Sequence, residues 1–116
     1  MKAKLFLYSI TDRKISKTYG GCTYYFNVYE IVKNDTKLIT SGHACTRGHK
    51  GEGSEAFGAL IKERPDIKKM LIKNAKKALA IDPANFYAKN ILLDVENSGG
   101  YYNWHFRDFG LILKQV

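Results

Sequence analysis

The run from Cys22 to Val32 constrains the fold more than any other part of the sequence, because most of its residues are β-branched or aromatic. Such residues pack well on the pleated, half-buried surface of a sheet and are enriched in strands. Apolar side chains occupy both odd and even positions of the run, so both faces of the strand are expected to contact other parts of the protein. The sequence therefore predicts a long strand in the interior of a sheet.

Two further strands are predicted around this one. A short polar turn at residues 33–35 leads into a second β-rich run at residues 37–45, and together they indicate an antiparallel hairpin. Residues 3–10 alternate in the manner of another strand. The polar segment 11–18 that follows them is predicted to be a loop that ends at the turn Gly20-Gly21. The first part of the chain is therefore expected to form an antiparallel meander of three strands.

Helical signals begin after the meander. Ser54 is a suitable N-cap, and Glu55 falls in the first turn, where the helix dipole favours a negative charge. Pro65 cannot continue this helix without the loss of a backbone hydrogen bond, so it is predicted to begin a second helix. The apolar residues of that second helix recur at helical spacing, and lysines occupy its opposite side.

Shorter elements are predicted in the last third of the chain. The pair Asp82-Pro83 repeats the pattern of a cap followed by proline, which predicts a short helix at residues 83–89. Apolar residues at 91–95 and at 111–114 predict one or two further strands. The predicted fold is a single α+β domain spanning residues 1–116. Its three-stranded antiparallel meander is covered on one face by helices and followed by those strands, in the order β-β-β-α-α-β.

The chain is strongly basic, since 19 Lys and Arg residues against 11 Asp and Glu give a net charge of +8. Such an excess attracts polyanions, and RNA or DNA is the leading predicted partner. Residues 62–77 concentrate the charge, with seven Lys or Arg residues against two acids. The glycine-rich loop at 47–53 precedes a helix N-terminus, where free amides favour a phosphate. The candidate phosphate-binding residues are Arg47, Lys50, Lys68, Lys69, Lys73, Lys76 and Lys77.

Five parts of the sequence, in their order and spacing, resemble the ribonuclease H-like family. They are the apolar strand at 5–9, the turn Gly20-Gly21, the hairpin at 24–44, the helix start Ser54-Glu55-Ala56-Phe57 and the run Leu92-Leu93-Asp94-Val95-Glu96-Asn97-Ser98. The resemblance covers residues 3–100 and implies a nucleic-acid substrate. Hydrolysis in that family uses two divalent metal ions held by clustered carboxylates, so magnesium is the cofactor that the resemblance implies.

The same resemblance implies three catalytic carboxylates, Asp12, Glu55 and Asp94. The family's first aspartate is expected near Ser9 or Ile10, and neither of these residues is acidic, so Asp12 is the nearest substitute. Each of the three carboxylates also suits an ordinary structural role, in a turn, at a helix dipole or at an exposed strand end. The sequence leaves open whether the chain is a magnesium-dependent nuclease, and without that activity no cofactor is expected.

No metal-binding site is predicted from the histidines and cysteines. Cys22, His43, Cys45 and His49 include neither a CxxC nor an HxxxH pair that would anchor zinc. Two cysteines without an export signal favour a reduced, cytoplasmic protein. No apolar run approaches the ~20 residues that cross a bilayer, so no membrane contact is expected.

Aromatic residues suggest a second contact surface. Residues 101–107 are rich in the side chains that dominate protein interfaces, and the predicted partner-binding residues are Tyr101, Tyr102, Trp104 and Arg107. The partner is either another protein or a second copy in a homodimer. On the long strand, Tyr25 and Tyr29 share a face with Asn27, so part of that face is expected to be open.

Two functions from different classes are compatible with these features. The first is a small basic nucleic-acid-binding domain with a ribonuclease H-like ancestry. The alternative is a phage-type anti-defence inhibitor, similar to anti-CRISPR proteins, that binds a nucleic-acid-processing complex or sequesters a nucleotide signal. The salt dependence of binding distinguishes the two functions, because a direct polyanion binder loses affinity steeply as the salt concentration rises.

Overall fold

A computed structural model describes residues 3–15, 22–45, 52–96 and 106–116, and within these it confirms the predicted α+β class. The order of the elements is three strands, three α-helices, one turn of 3-10 helix and a last strand. Their bounds are β1 Lys4–Ile15, β2 Cys22–Val32, β3 Asp35–Cys45, α1 Glu52–Glu63, α2 Pro65–Ile81, α3 Phe86–Glu96, the 3-10 turn Phe106–Phe109 and β4 Leu111–Gln115.

The strands form one sheet with the order β3-β2-β1-β4. The first three strands make the predicted antiparallel meander, and β4 lies beside β1 in parallel. The predicted interior position of β2 is therefore confirmed. Strand β3 begins at Asp35 rather than at residue 37, because the hairpin turns at residues 33–34. Lys33 adopts a left-handed backbone conformation there, with a φ of 57°.

Strand β1 is longer than predicted, and the expected loop at 11–18 is wrong over its first part. A bulge between Ile10 and Asp12 shifts the register, after which β1 continues to pair with β2 as far as Ile15 opposite Cys22. The polar residues are held in the strand by this ladder and by aromatic neighbours. The guanidinium carbon of Arg13 lies 5.2 Å from the centroid of the Tyr24 ring.

The strand predicted at residues 91–95 is also wrong, since these residues belong to α3. Ala88, Ile91 and Val95 recur at helical spacing and are all buried. Helix α3 begins at Phe86, not at residue 83, because Asn85 is the residue that caps it: its Oδ1 accepts a hydrogen bond from the Ala88 amide at 3.1 Å. Residues 91–95 are short and apolar enough to suit either a strand or a buried helix. Their contact with α2 decides in favour of the helix.

The helices pack against one face of the sheet and share a single core with it. Phe6, Phe26 and Val28 of the sheet are fully or almost fully buried against this layer. The helices contribute Phe57, Leu60, Ile67, Leu71 and Ile91, and β4 contributes Leu111. Among the described residues, no helix has the length and apolar character needed to cross a membrane.

Candidate nucleic-acid interface

The outer side of α2 carries the strongest concentration of positive charge that the structure shows. Ile67, Leu71 and Ala75 are completely buried and define the inner side of the helix. The exposed lysines on the outer side are Lys69, Lys73 and Lys76, which we call the lysine face. Steps of four and three residues place them on one stripe, about 10 Å long at 1.5 Å per residue.

Two further predicted lysines border this stripe. Lys68 and Lys77 are exposed on either side of it, so all five lysines predicted on α2 are available to a ligand. None of the three residues of the lysine face takes part in a salt bridge within the described part of the chain. Their charge is therefore directed to solvent rather than neutralised by a neighbouring carboxylate.

A cleft lies between α1 and the edge strand β3, with a volume of about 680 Å³. Its polar lining comes from Ser41 and His43 of β3, from Glu55 and Lys62 of α1, and from Lys68 at the start of α2. Gly42 forms part of the strand wall, and a Cβ atom at this position would lie only 2.8 Å from Cζ of Phe26. This cleft was not predicted, because its walls come from separate elements and a linear pattern does not specify how these elements pack.

The three carboxylates implied by the ribonuclease H-like resemblance lie on different elements. Asp12 is exposed beside the bulge of β1, Glu55 is half-buried in α1 at the cleft, and Asp94 is buried in α3. Within the described ranges, no group of three or more His, Cys, Asp or Glu side chains is placed to hold a metal ion. The structure therefore does not bring Asp12, Glu55 and Asp94 together, and the expected position of Asp94 at an exposed strand end is wrong.

Asp94 has an unusual environment for a carboxylate. Its residue surface is 9% exposed, and its Oδ2 atom has no hydrogen-bond partner among the described residues. Burial raises the pKa of Asp94 to about 6, because the apolar surroundings disfavour the charged form. This carboxyl group is held inside the helical layer and is not presented to a ligand.

Several of the predicted site residues fall outside the described ranges. These are Arg47 and Lys50 of the glycine-rich loop, and Tyr101, Tyr102 and Trp104 of the C-terminal aromatic segment. Arg107 is described and is exposed in the 3-10 turn. The neighbouring Phe106 is buried, and its ring stacks on Phe57 with a centroid distance of 4.6 Å. That contact anchors the turn to α1 and leaves Arg107 directed outward.

The face of the sheet opposite the helices carries the aromatic residues expected to be open. Tyr25, Asn27 and Tyr29 are half-buried, and the Nδ2 atom of Asn27 donates to the Tyr29 hydroxyl at 3.0 Å. Lys14 lies over the first of these rings, with its Nζ 5.4 Å from the Tyr25 centroid. By contrast, Tyr8 belongs to the core on the helical side. Among the described residues, the helices thus cover one face of the sheet, and Tyr25, Asn27 and Tyr29 on the other face are half-buried.

Comparison with known proteins suggests no function for these surfaces. No family model matches the sequence, and neither the curated proteins nor the solved structures give a match. The α+β fold and the arrangement of these surfaces are therefore the only basis for a functional proposal.

Proposed function

We propose that the protein binds nucleic acid through contacts between the lysine face and the phosphate backbone. The proposal rests on the contrast between the two sides of α2. The residues of its inner side are fully buried, whereas its outer side presents three exposed lysines that form no salt bridge within the described part of the chain. An amphipathic helix needs polar residues outside, but neutral or mixed charges serve that purpose equally well. Several neighbouring side chains with the same charge repel each other, and an anionic partner reduces this repulsion.

The geometry of the lysine face suits a phosphate backbone rather than a single small anion. Phosphates of one duplex strand follow each other at about 3.4 Å along the helix axis, so a stripe of ~10 Å spans about three of them. Lysine ammonium groups bind phosphates as point charges and read no base edge. We therefore expect affinity for RNA and DNA with little sequence preference.

A ribonuclease H-like ancestry is part of this proposal, supported by the order of three strands followed by a helix. The described carboxylates do not fit a centre for two magnesium ions, since they do not converge. We accordingly assign no hydrolytic step to Asp12, Glu55 or Asp94. Magnesium-dependent cleavage of RNA or DNA that is lost in Glu55→Gln, with binding retained, would contradict this part of the proposal.

The proposal is tested by fluorescence anisotropy with labelled single-stranded RNA, single-stranded DNA and duplex, at low and at physiological salt. The variant Lys69→Ala/Lys73→Ala/Lys76→Ala is expected to lose most of the binding. A matched control removes three exposed lysines from the sheet instead, in Lys4→Ala/Lys37→Ala/Lys114→Ala, and changes the net charge equally. Equal losses in the two triple variants would show that only the total charge matters and would contradict the proposed interface.

A second candidate function, the inhibitor that acts by protein contact, is favoured by exposed apolar side chains at the end of α2 and along α3. Ile81 is 85% exposed, Phe86 67% and Leu93 54%. Phe86 also meets the ring of Tyr87 edge to face at 5.9 Å. Large exposed apolar side chains that cluster are typical of protein-binding surfaces.

The two candidates differ in their response to salt and to substitution. An inhibitor of this kind is expected to hold its protein target at 0.5 M salt, a concentration that screens surface charge beyond a few ångströms. It loses that target in Phe86→Asp, or in Trp104→Ala of the predicted partner-binding segment. The nucleic-acid binder instead releases its ligand at high salt and is affected most by the lysine triple variant.

A further inference from the structure

The cleft between α1 and β3 has opposite charges at its two ends. Glu55 and Lys62 both line it from α1, and seven positions of helix separate them. This spacing is about two helical turns, so the two side chains share one side of α1 and lie ~10 Å apart along its axis. Lys68 joins Lys62 at the end of the cleft where α1 passes into α2. One carboxylate therefore lies at one end and two ammonium groups lie at the other.

These three charges are not neutralised within the described part of the chain, since none of them takes part in a salt bridge there. The carboxylates of Asp66 and Glu30 are instead held by Arg64, at 3.0 Å and 2.7 Å. Glu63 is exposed and is not among the residues that line the cleft. Both ends of the cleft are therefore able to attract a ligand by charge.

The walls between the two ends carry little side-chain volume. Gly42 lines the cleft from β3, and Gly58 and Ala59 line it from α1. The apolar lining includes Phe26 and Ile61, which are almost fully buried. The volume of about 680 Å³ is typical of pockets that hold small organic molecules. The cleft therefore has room for a flat ring between its walls.

Strand β3 contributes its main chain rather than its side chains to this wall. The Ser41 hydroxyl donates to Oδ1 of Asn27, and the two residues are paired on the sheet face away from the helices. The His43 ring lies 6.1 Å from the Tyr25 ring on the same face. Among the described strands, β3 is at the edge of the sheet, so alternate N–H and C=O groups point away from β2. These groups offer hydrogen bonds to the polar edge of a ring.

We infer that the cleft binds a nucleoside monophosphate, with guanine preferred as the base. The phosphate carries a charge of about −1.5 to −2 at pH 7, which matches the two ammonium groups of Lys62 and Lys68. Guanine presents two adjacent N–H donors on its pairing edge, and the carboxylate of Glu55 accepts two such bonds at once. Phosphate and base lie at opposite ends of a nucleotide, as the charges lie at opposite ends of the cleft.

The same chemistry is present in a free nucleotide and in the phosphorylated terminal nucleotide of a strand. Lys68 borders the lysine face and also lines the cleft, so a strand bound along α2 leads toward it. For a strand end, the inference rests on the proposed function. For a free nucleotide it does not, because the three residues of the lysine face are not among those that line the cleft.

Isothermal titration calorimetry of the full chain with the monophosphates of guanosine, adenosine, cytidine and uridine, at physiological salt, tests the inference. Saturable binding is expected, with guanosine monophosphate tighter than uridine monophosphate by about tenfold, because uracil presents only one N–H donor. Lys62→Gln/Lys68→Gln is expected to weaken guanosine monophosphate at least about tenfold. The matched control Lys4→Gln/Lys114→Gln removes two exposed lysines of the sheet and is expected to retain the affinity.

Two further variants test the base end and the space between the walls. Glu55→Gln is expected to reduce the preference for guanine over uracil, because an amide has only one acceptor oxygen. Gly58→Leu places a large side chain in the cleft and is expected to abolish nucleotide binding while binding of duplex DNA persists. Leucine favours a helix more than glycine does, so this variant is expected to fold, which circular dichroism checks. If it does not fold, the charge variants decide the test.

A short RNA with a 5′-phosphorylated guanosine at its end distinguishes the two sources of the ligand. Tighter binding than that of the free nucleotide, with the difference lost in Lys69→Gln/Lys73→Gln, identifies the strand end as the ligand. Equal or weaker binding identifies the free nucleotide. Both results support a nucleotide site in the cleft.

Three results would overturn the inference. One is the absence of saturable binding at millimolar guanosine monophosphate. Another is inorganic phosphate that binds as tightly as the nucleotide, which would make the cleft an anion site without nucleoside recognition. The third is equal weakening in Lys62→Gln/Lys68→Gln and Lys4→Gln/Lys114→Gln, which would mean that only net charge matters. Loss of nucleic-acid binding in the triple variant of the lysine face bears on the proposed function alone.

Discussion

Arg64 and Glu30 form a salt bridge of 2.7 Å that joins the helical layer to strand β2. Arg64 is the one residue between α1 and α2, so this contact fixes the point from which α2 departs. Its guanidinium also bonds Asp66 at 3.0 Å and lies 5.7 Å from the centroid of the Phe6 ring. The hydrogen bonds to Asp66 and then to Glu30 raise the pKa of Arg64 beyond its ordinary value, so the residue is always charged. The direction of the lysine face therefore depends on a contact outside it.

Arg64→Ala is expected to destabilise the fold by about 2 kcal/mol, because the Glu30 carboxylate would lose its charged partner in a site where its side chain is only 13% exposed. Urea unfolding followed by circular dichroism measures this free energy. Lys62→Ala is the control, since it removes a positive charge from the exposed last turn of α1 and is expected to change stability by less than about 0.5 kcal/mol. The double variant Arg64→Ala/Glu30→Gln should recover part of the lost free energy of unfolding. If the effects of the two single substitutions on this free energy simply add, the salt bridge contributes nothing to stability.

Gly42→Ala is expected to destabilise the protein by about 1–2 kcal/mol. The added Cβ would lie 2.8 Å from Cζ of Phe26, and that ring is 98% buried, so it has little room to move. The thermal midpoint should fall by several degrees. Thr36→Ala, a substitution at an exposed position of the same strand, should leave the midpoint nearly unchanged. An unaltered midpoint in Gly42→Ala would mean that the ring shifts into the adjoining cleft without cost.

Strands β2, β3 and β4, the first part of β1 and the first two helices were predictable from local sequence. The second part of β1 was predicted as a loop, because its residues are polar and only the ladder with β2 holds them in the sheet. The bounds of β2 follow from its β-branched and aromatic residues, and Pro65 begins α2 because proline suits a first helical position. The run Ile91–Val95 was not predictable in the same way. A strand and a buried helix share this composition, and only the packing of α3 on α2 decides between them.

The candidate site was partly predictable for a similar reason. The lysine face follows from helical periodicity, which is a property of the sequence alone. Which face of the sheet the helices cover does not follow from the sequence, since Phe6 and Tyr8 on one side of β1 look no more apolar than Leu5 and Leu7 on the other. The uncovered face of the sheet and the cleft beside Gly42 therefore follow only from the tertiary arrangement.

Asp94→Asn is expected to change how stability depends on pH. A carboxyl group whose pKa is raised to about 6 by burial stabilises the folded state in its protonated form. That contribution is complete below the unfolded pKa of about 3.9 and is lost as the pH rises through about 6. Relative to the Asn variant, the wild type should therefore lose roughly 1–2 kcal/mol between pH 4 and pH 7.5, a value reduced by solvent screening.

Urea unfolding of both proteins at pH 4, 5, 6, 7 and 7.5 measures this difference. Comparison with the variant is needed because other carboxylates act in the opposite direction. The hydrogen bond from Arg64 lowers the pKa of Asp66, which adds stability above pH 4 in both proteins. A constant difference between wild type and Asp94→Asn across the range would contradict the buried environment of Asp94.

Single substitutions in the lysine face are expected to act on the salt dependence of binding. Each lysine that contacts a phosphate displaces about one counterion, so Lys69→Gln, Lys73→Gln and Lys76→Gln should each reduce the slope of log K against log salt by about 0.9 on duplex DNA. The reduction should be the same for different sequences, because ammonium groups contact phosphates and not bases. Lys4→Gln, an exposed lysine of the sheet, should weaken binding slightly through net charge and leave the slope unchanged. Slopes that fall equally in all four variants would show that the protein binds as a diffuse positive charge, without a defined interface on α2.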